Sequence, residues 1–309
     1  MKNVTLRQLK VFEAVARHLS FSRAAEEMHL TQPAVSMQVR ALEDEAGLPL
    51  TEQLGKKIFL TDAGAELARH ARIVAQQLRE AGEALAAMRG VAGGVLRIGV
   101  VSTAKYFAPG LLAEFRRRHP GIELRLEVHN RQVIVRQLAD NEIDLAIMGR
   151  PPQEFATVAE TFADHPLVII AAADHRLAGR RSVAAADLAA ETFLIREPGS
   201  GTRAAMERFF DEQGLVPQAT FEMGSNETIK QAVMAGMGVA FISEHTIALE
   251  LAAGHLVRLA VRGTPVLRGW YVVQRAEKQL LPVAAAFREF LVNEAGRLMA
   301  PRTRRRSKS

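Results

Sequence analysis

Apolar residues recur at helical spacing in three runs at the start of the chain. Leu6, Leu9, Val11, Phe12, Val15 and Ala16 make the apolar face of a first helix. From Phe21 to Glu43 the pattern predicts two more helices joined by a tight turn. Ala24 and Ala25 are small where one helix must cross another closely, and Met28, Leu30, Val35, Val39 and Leu42 supply a shared core. Thr31 can cap the third helix, and Pro33 falls in its first turn, where a missing N–H costs nothing. Gln32, Ser36, Met37 and Arg40 then point outward near the start of that helix. After Gly47-Leu48-Pro49-Leu50 come two short extended pieces within Gln53–Thr61, around a basic, glycine-containing turn with Lys56 and Lys57 at its tip. Three helices and such a wing form a DNA-reading unit. Gln and Arg can contact base edges in pairs of hydrogen bonds, Ser can reach base or phosphate, and the lysines suit phosphate. A helical hairpin with solvated polar residues would show the same spacing; the flanking helix and wing favour DNA.

From Leu60 the apolar or small positions are Leu60, Gly64, Leu67, Ala71, Val74, Leu78, Ala81, Leu85 and Met88, at intervals of four and three. This seam suits a coiled coil. It predicts a helix over 62–89, about 42 Å long at about 1.5 Å per residue. The seam is narrow and no partner segment lies beside it in the chain, so pairing with a second chain is expected rather than packing on its own domain. Val91-Ala92-Gly93-Gly94 should end the helix and act as a hinge.

Residues 95–300 alternate strand and helix. Strands at 95–101, 122–128 and 143–148, with helices at 107–118 and 131–139, predict a βαβαβ unit on a parallel sheet. The run Pro166–Ala171 opens a second set. It continues with strands at 193–195, 219–223 and 239–242, and helices at 203–213, 226–236 and 245–253. A strand at 269–274 and a helix over 282–299 close the chain. The pattern predicts two lobes, 94–164 with 269–300 and 165–268, linked by two crossings, with a ligand cleft between them.

Composition narrows the class. A chain of 309 residues, 48% hydrophobic, exceeds one domain. It has no apolar run of eighteen or more residues and no leader sequence, so a soluble, cytoplasmic protein without membrane contact is expected. With no cysteine, thiol chemistry and disulfides are excluded, and the nine histidines show no ligand spacing, so no metal and no bound cofactor are expected. The net charge of +6 is a weak signal for nucleic acid: Arg302, Arg304, Arg305, Arg306 and Lys308 supply five positive charges, whereas residues 1–60 carry eight Lys/Arg against seven Asp/Glu. The tail 301–309 is expected to be a disordered basic end.

Three polar loops converge on strand ends facing the cleft. Ser102-Thr103-Ala104-Lys105 follows a strand and precedes a helix. Glu197-Pro198-Gly199-Ser200-Gly201-Thr202-Arg203 does the same in the second lobe, and Gly224-Ser225-Asn226-Glu227 opens a further helix. Hydroxyls and backbone N–H groups at helix starts can hold an anion. Each alone reads more simply as a helix cap; three on one edge favour a ligand. Arg203 could pair with that ligand or with Glu197. No nucleophile–base–orienter set can be assembled, so an enzyme is not expected. A bilobed binding protein without a regulatory role remains an alternative, as does a purely structural DNA binder, which would not need two lobes.

Leu6–Leu9, Ser20–Ala25, Thr31–Ser36 and Leu60–Gly64 resemble the LysR-type transcriptional regulators, and the likeness runs through nearly the whole chain. The resemblance implies an α/β protein: an N-terminal winged helix-turn-helix over 1–61, a linker and dimerisation helix with hinge over 62–93, and a two-lobed effector domain like a periplasmic binding protein over 94–300. It implies antiparallel pairing of linker helices and a homodimer or homotetramer. The DNA-facing set is then Ser22, Arg23, Gln32, Pro33, Ser36, Met37, Arg40, Lys56 and Lys57. The effector set is Ser102, Thr103, Lys105, Ser200, Gly201, Thr202 and Asn226. RNA polymerase is a further candidate partner. The chain departs from the family at Thr51, usually Phe, at Gln53, often Arg, and at Met37, often Arg. Gln53–Phe59, Ser102–Pro109 and Met148–Pro152 resemble activators of RuBisCO (Calvin-cycle) operons. That likeness implies an anionic effector of the sugar phosphate, phosphoenolpyruvate or NADPH class, with Lys105 as a charge partner; a LysR-type regulator of another metabolic operon is the alternative.

Overall fold

The computed structural model describes residues 4–55, 57–88 and 94–299. The chain divides into two compact units, one on residues up to 91 and one on residues from 92 onward except 140–142. The first unit contains α1 (Leu6–His18), α2 (Phe21–Glu27), α3 (Gln32–Ala46), the hairpin β1 (Thr51–Leu54) and β2 (Lys57–Leu60), and α4 (Asp62–Met88). Side chains set the starts: Thr5 and Gln8 form a capping box on α1, Ser20 caps α2, and Thr31 caps α3 with a proline in its first turn. Gly47, at φ +68°, ends α3 in the left-handed conformation that suits glycine. Val11, Phe12, Val15, Ala24, Ala25, Val35, Val39 and Leu42 are buried in one core, with Met28 and Leu30 half-buried against it. Arg17 ties α1 to α2 through a 2.6 Å bond to Glu27. That bond, with His18 second, holds the Glu27 carboxyl down at about 2.

α4 corrects one expectation. Its first half packs within the unit, on α1. Ala68 is buried in the core and Leu67 lies against it. A Cβ on Gly64 would stand 1.9 Å from the Leu50 carbonyl oxygen, so only glycine lets the helix approach the wing this closely. The partner segment is α1, distant in sequence and therefore hidden from local pattern. Farther along, Val74, Leu78 and Leu85 are exposed, so the unpartnered seam is the second half. The described part of this helix runs to Met88. The expected hinge residues 91–93 and the basic tail 301–309 lie outside the described residues, and Gly94 opens the next strand.

The second unit begins with β3 (Gly94–Val101), α5 (Ala108–Arg118), β4 (Ile122–His129), α6 (Arg131–Ala139) and β5 (Leu145–Met148). β3 pairs in parallel with both β4 and β5, the predicted βαβαβ unit. Next is β6 (Thr157–Ala172), longer than the sequence suggested because polar and apolar residues come in pairs over its first half, giving neither strand alternation nor an apolar run. Lobe II adds α7 (Ala185–Leu188), β7 (Thr192–Arg196), α8 (Gly201–Gln213), β8 (Ala219–Met223), α9 (Asn226–Met234), β9 (Ala240–Ser243), α10 (Ala248–Ala253) and β10 (Leu256–Arg258). The helix expected over 245–253 is a short 3₁₀ turn at Glu244–Thr246 followed by α10. β11 (Val266–Arg275) and α11 (Pro282–Phe290), a π turn at Leu291–Ala295 and α12 (Gly296–Met299) complete the chain.

The crossings between lobes are continuous strands. β6 and β11 pair antiparallel from Thr157–Arg275 to Leu167–Val266. Phe162 and Trp270 belong to the lobe I core; Leu167, Ile169 and Ala171 face one lobe II core, Val168 and Ile170 the other. That two-sided burial explains why the sequence shows an unbroken apolar run there.

Candidate functional site

On α3, Gln32, Pro33, Ser36, Met37 and Arg40 are all exposed on one face, while Val35, Val39 and Leu42 hold the opposite face in the core. Ser22 and Arg23, in the first turn of α2, are exposed as well, as is Lys57 in the wing. Lys56 lies outside the described residues. The wing is fastened to the far end of α3 by Glu43, whose carboxylate accepts from Leu50 N at 2.9 Å and from Thr51 N at 3.1 Å and its hydroxyl at 3.2 Å. This role of Glu43 is not visible in the sequence, because its partner backbone N–H groups carry no sequence signal.

In the second unit, the loop after β3 and the N-terminus of α8 meet across a narrow cavity of about 30 Å³. Ser102 and Thr103 come from lobe I, Ser200, Gly201 and Thr202 from lobe II. Thr103, Ser200 and Thr202 are buried. The helix start brings unsatisfied N–H groups and the positive end of its dipole to the cavity. A wider space of about 670 Å³ adjoins it, lined by Arg131, Arg150, Arg208 and Arg268 among others. Arg268 donates to the Gly149 carbonyl at 2.8 Å and, at 3.5 Å, to that of Gly201. Burial first, then repulsion from Arg208 and Arg150, brings its pKa down to about 10. Such crowding of cations suits an anion.

Two sequence-predicted residues stand elsewhere. Lys105 does not line the cavity: its Nζ is 3.9 Å from Glu227 and it lies over the Tyr106 ring. Asn226 accepts from Arg196 at 2.6 Å and donates to the Ser102 carbonyl at 3.4 Å. Arg196, buried, also reaches the Ser102 hydroxyl at 3.1 Å. Asn226 and Arg196 therefore form a strut between lobes, with Glu197 on Arg196 at 2.7 Å. Arg203 does not pair with Glu197; it binds Glu207 at 2.8 Å and Glu222 at 2.6 Å. His165, Arg268, Arg131 and Arg150 line the cavity but gave no motif, since strand pairing and loop packing bring them together. Among the described residues no cluster of three or more His, Cys, Asp or Glu could hold a metal, and no helix is long and apolar enough to cross a membrane.

Residues 6–65 match the family of bacterial regulatory helix-turn-helix proteins of the lysR type, and residues 89–296 match the LysR substrate-binding domain. The chain belongs to the LysR family of transcriptional regulators. It is 55% identical to a RuBisCO operon transcriptional regulator of Allochromatium vinosum, over 96% of this chain and 98% of that one. It is 54% identical to the HTH-type transcriptional regulator CbbR of Rhodospirillum rubrum, over 93% and 95%. The regulatory domain of CcmR from Synechocystis, solved in complex with 2-phosphoglycolate, is 42% identical with a TM-score of 0.63, covering 65% of this chain and 96% of that one. Full-length CbnR, solved with its target DNA, is 25% identical with a TM-score of 0.68, over 93% and 99%. These matches place the chain among DNA-binding transcriptional regulators and not among enzymes. Within this LysR-type regulator one departure has a local reason: the Thr51 hydroxyl donates to Glu43, a bond that Phe could not make. Gln53 donates to the Gly55 carbonyl at 2.9 Å and so shapes the wing tip. Nothing in the structure explains Met37.

Proposed function

We propose that this regulator controls carbon-fixation (RuBisCO) genes, as an activator, in response to a small anionic metabolite bound between the lobes of its effector domain. The observation that carries the effector reading is the meeting of the Ser102–Thr103 loop and the start of α8 over a cavity bordered by Arg131, Arg150 and Arg268. The CcmR complex supports it, because that regulatory domain, 42% identical to this chain, was solved with 2-phosphoglycolate, a small anion. The high identity to RuBisCO operon regulators supports the target genes.

In this reading Gln32, Ser36 and Arg40 read base edges, Met37 offers an apolar contact, and Ser22, Arg23, Pro33, Lys57 and Lys56 sit along phosphates. Thr103, Ser200, Gly201 and Thr202 hold the anion, with Ser102 shared between cavity and strut. Lys105 and Asn226 act at the strut and not on the ligand. The exposed half of α4 pairs with a second copy, giving a homodimer or a homotetramer. Ligand contacts in both lobes favour closure by the difference in affinity between closed and open forms, and closure changes the spacing of DNA contacts. Sequencing of DNA co-purified with the protein tests the target. Enrichment upstream of RuBisCO genes is expected; enrichment at another metabolic operon would replace this reading with a different LysR-type target.

A further inference from the structure

His165 and Arg268 are cross-strand partners in the ribbon of β6 and β11, where both strands pass from one lobe to the other. Antiparallel partners present their side chains on one face, and both residues line the cavity. His165 is 4% exposed, yet neither ring nitrogen has a hydrogen-bond partner. A buried polar group left unpaired is costly and in a folded protein calls for an explanation. The ring has little freedom to turn toward a partner. It stacks on Trp270, with centroids 3.8 Å apart and planes at 18°. On another side, even a Cβ on Gly149 would stand 2.6 Å from its Nδ1. The backbone there is therefore glycine because the imidazole occupies the space.

The charged groups around this ring are cations or paired. Arg268 comes from β11, Arg131 opens α6, where it also reaches Glu154 at 3.5 Å, and Arg150 lies in the loop after β5. His245 lies in the 3₁₀ turn after β9, its ring 6.4 Å away, and Glu244 beside it is engaged by Arg258. Asp164 precedes His165 on the strand and so points to the opposite face. Burial first, then Arg268 and His245, hold the His165 proton affinity well below its ordinary value. The ring therefore enters the site neutral, with one donor and one acceptor.

We propose that His165 is a specificity-determining contact of the effector, donating its ring N–H to an oxyanion that lies against Arg268, Thr103 and Thr202. The inference rests on the cleft reading above. An anion at this place reverses the local field, so the imidazole becomes easier to protonate and ligand binding draws a proton onto the protein. A ligand presenting a cation at this position is refused, because Arg268, Arg131 and Arg150 line the same cavity.

Calorimetric titration of the full chain with 2-phosphoglycolate tests this in wild type, His165→Phe, His165→Leu, His165→Gln and Thr103→Val. Phe and Leu cannot donate, and Gln can. Loss of a hydrogen bond to a charged group predicts affinity about 10-fold weaker or more for Phe and Leu. Gln should recover part of it. Titrations in two buffers of different ionisation enthalpy should show proton uptake by wild type that is smaller in His165→Phe. DNA binding without ligand should match wild type throughout. If Phe and Leu bind as tightly as wild type while Thr103→Val is weakened, the cleft holds the ligand and the His165 proposal is overturned. If Thr103→Val also binds as wild type, or wild type binds neither 2-phosphoglycolate nor inorganic phosphate, the cleft reading falls and this inference with it. Should neither Phe nor Leu fold, the buffer pair on wild type decides: uptake supports the contact, and its absence or net release overturns it.

Discussion

Gln32 and Arg40 stand on the exposed face of α3, held there by Val35, Val39 and Leu42 on the other side. Replacing either with Ala should cost about 1–3 kcal/mol of affinity for the operator and much less for random DNA, if each makes a paired contact to a base edge. Equal losses on both DNAs, measured by fluorescence anisotropy, would reduce these side chains to phosphate contacts. His165 gives a prediction of another kind. Its folded-state pKa lies below the unfolded value near 6.5, so the unfolded chain binds the extra proton. Its contribution to stability is therefore present above about pH 6.5 and is lost as pH falls toward the depressed folded value, at up to about 1.4 kcal/mol per pH unit. Trp270, the single tryptophan, is stacked on this ring and reports the transition. Urea unfolding at pH 7.5 and 5.5 should show a larger acid loss in wild type than in His165→Phe; identical losses would mean that His165 does not sit neutral in the fold. At this scale the sequence revealed helix caps and reading residues, whose signals are local. It could not reveal His165 and Arg268, because their meeting depends on the register of two strands far apart in the chain.

Among the elements, α4 serves two neighbours along its length. Gly64, Leu67 and Ala68 close on the helix-turn-helix core, whereas Val74, Leu78 and Leu85 have no cover. Leu78→Asp or Leu85→Asp places a charge where a second chain should bury it, and desolvation makes that costly. Sedimentation should show dissociation to smaller species with the DNA-binding unit still folded. A fully assembled variant would remove this helix from the interface. The heptad spacing was legible; its division between two partners was not, because α1 lies well upstream and spacing alone does not say what covers a face. β6 failed locally for a similar reason. From Thr157 to Asp164 polar and apolar residues come in pairs instead of alternating, so the segment carries no period-two signal, and pairing with β11 makes it a strand.

At the scale of the whole molecule, the two-lobed domain is built around one antiparallel ribbon that belongs to both lobes. Thr103 on one side and Thr202 on the other line the cavity between those lobes, and in the proposed reading a ligand there bends the ribbon. The fold class and the family were legible from motif density near the N-terminus and from alternation of strand and helix beyond it. The ribbon hinge and the arginine-bordered cavity were not, since both come from contacts between distant segments. Effector binding and DNA binding should be separable at one atom group. Thr103→Val keeps the shape of the side chain and deletes its hydroxyl, at a cost of about 1.5–3 kcal/mol for a hydrogen bond to a charged ligand. The measurement that tests this most directly is a DNase footprint on the promoter of the RuBisCO genes, with and without 2-phosphoglycolate. Both proteins should protect the same site without ligand, and only wild type should change its footprint as ligand is added over its binding range. A footprint of Thr103→Val that shifts at the same ligand concentration as wild type would contradict the account.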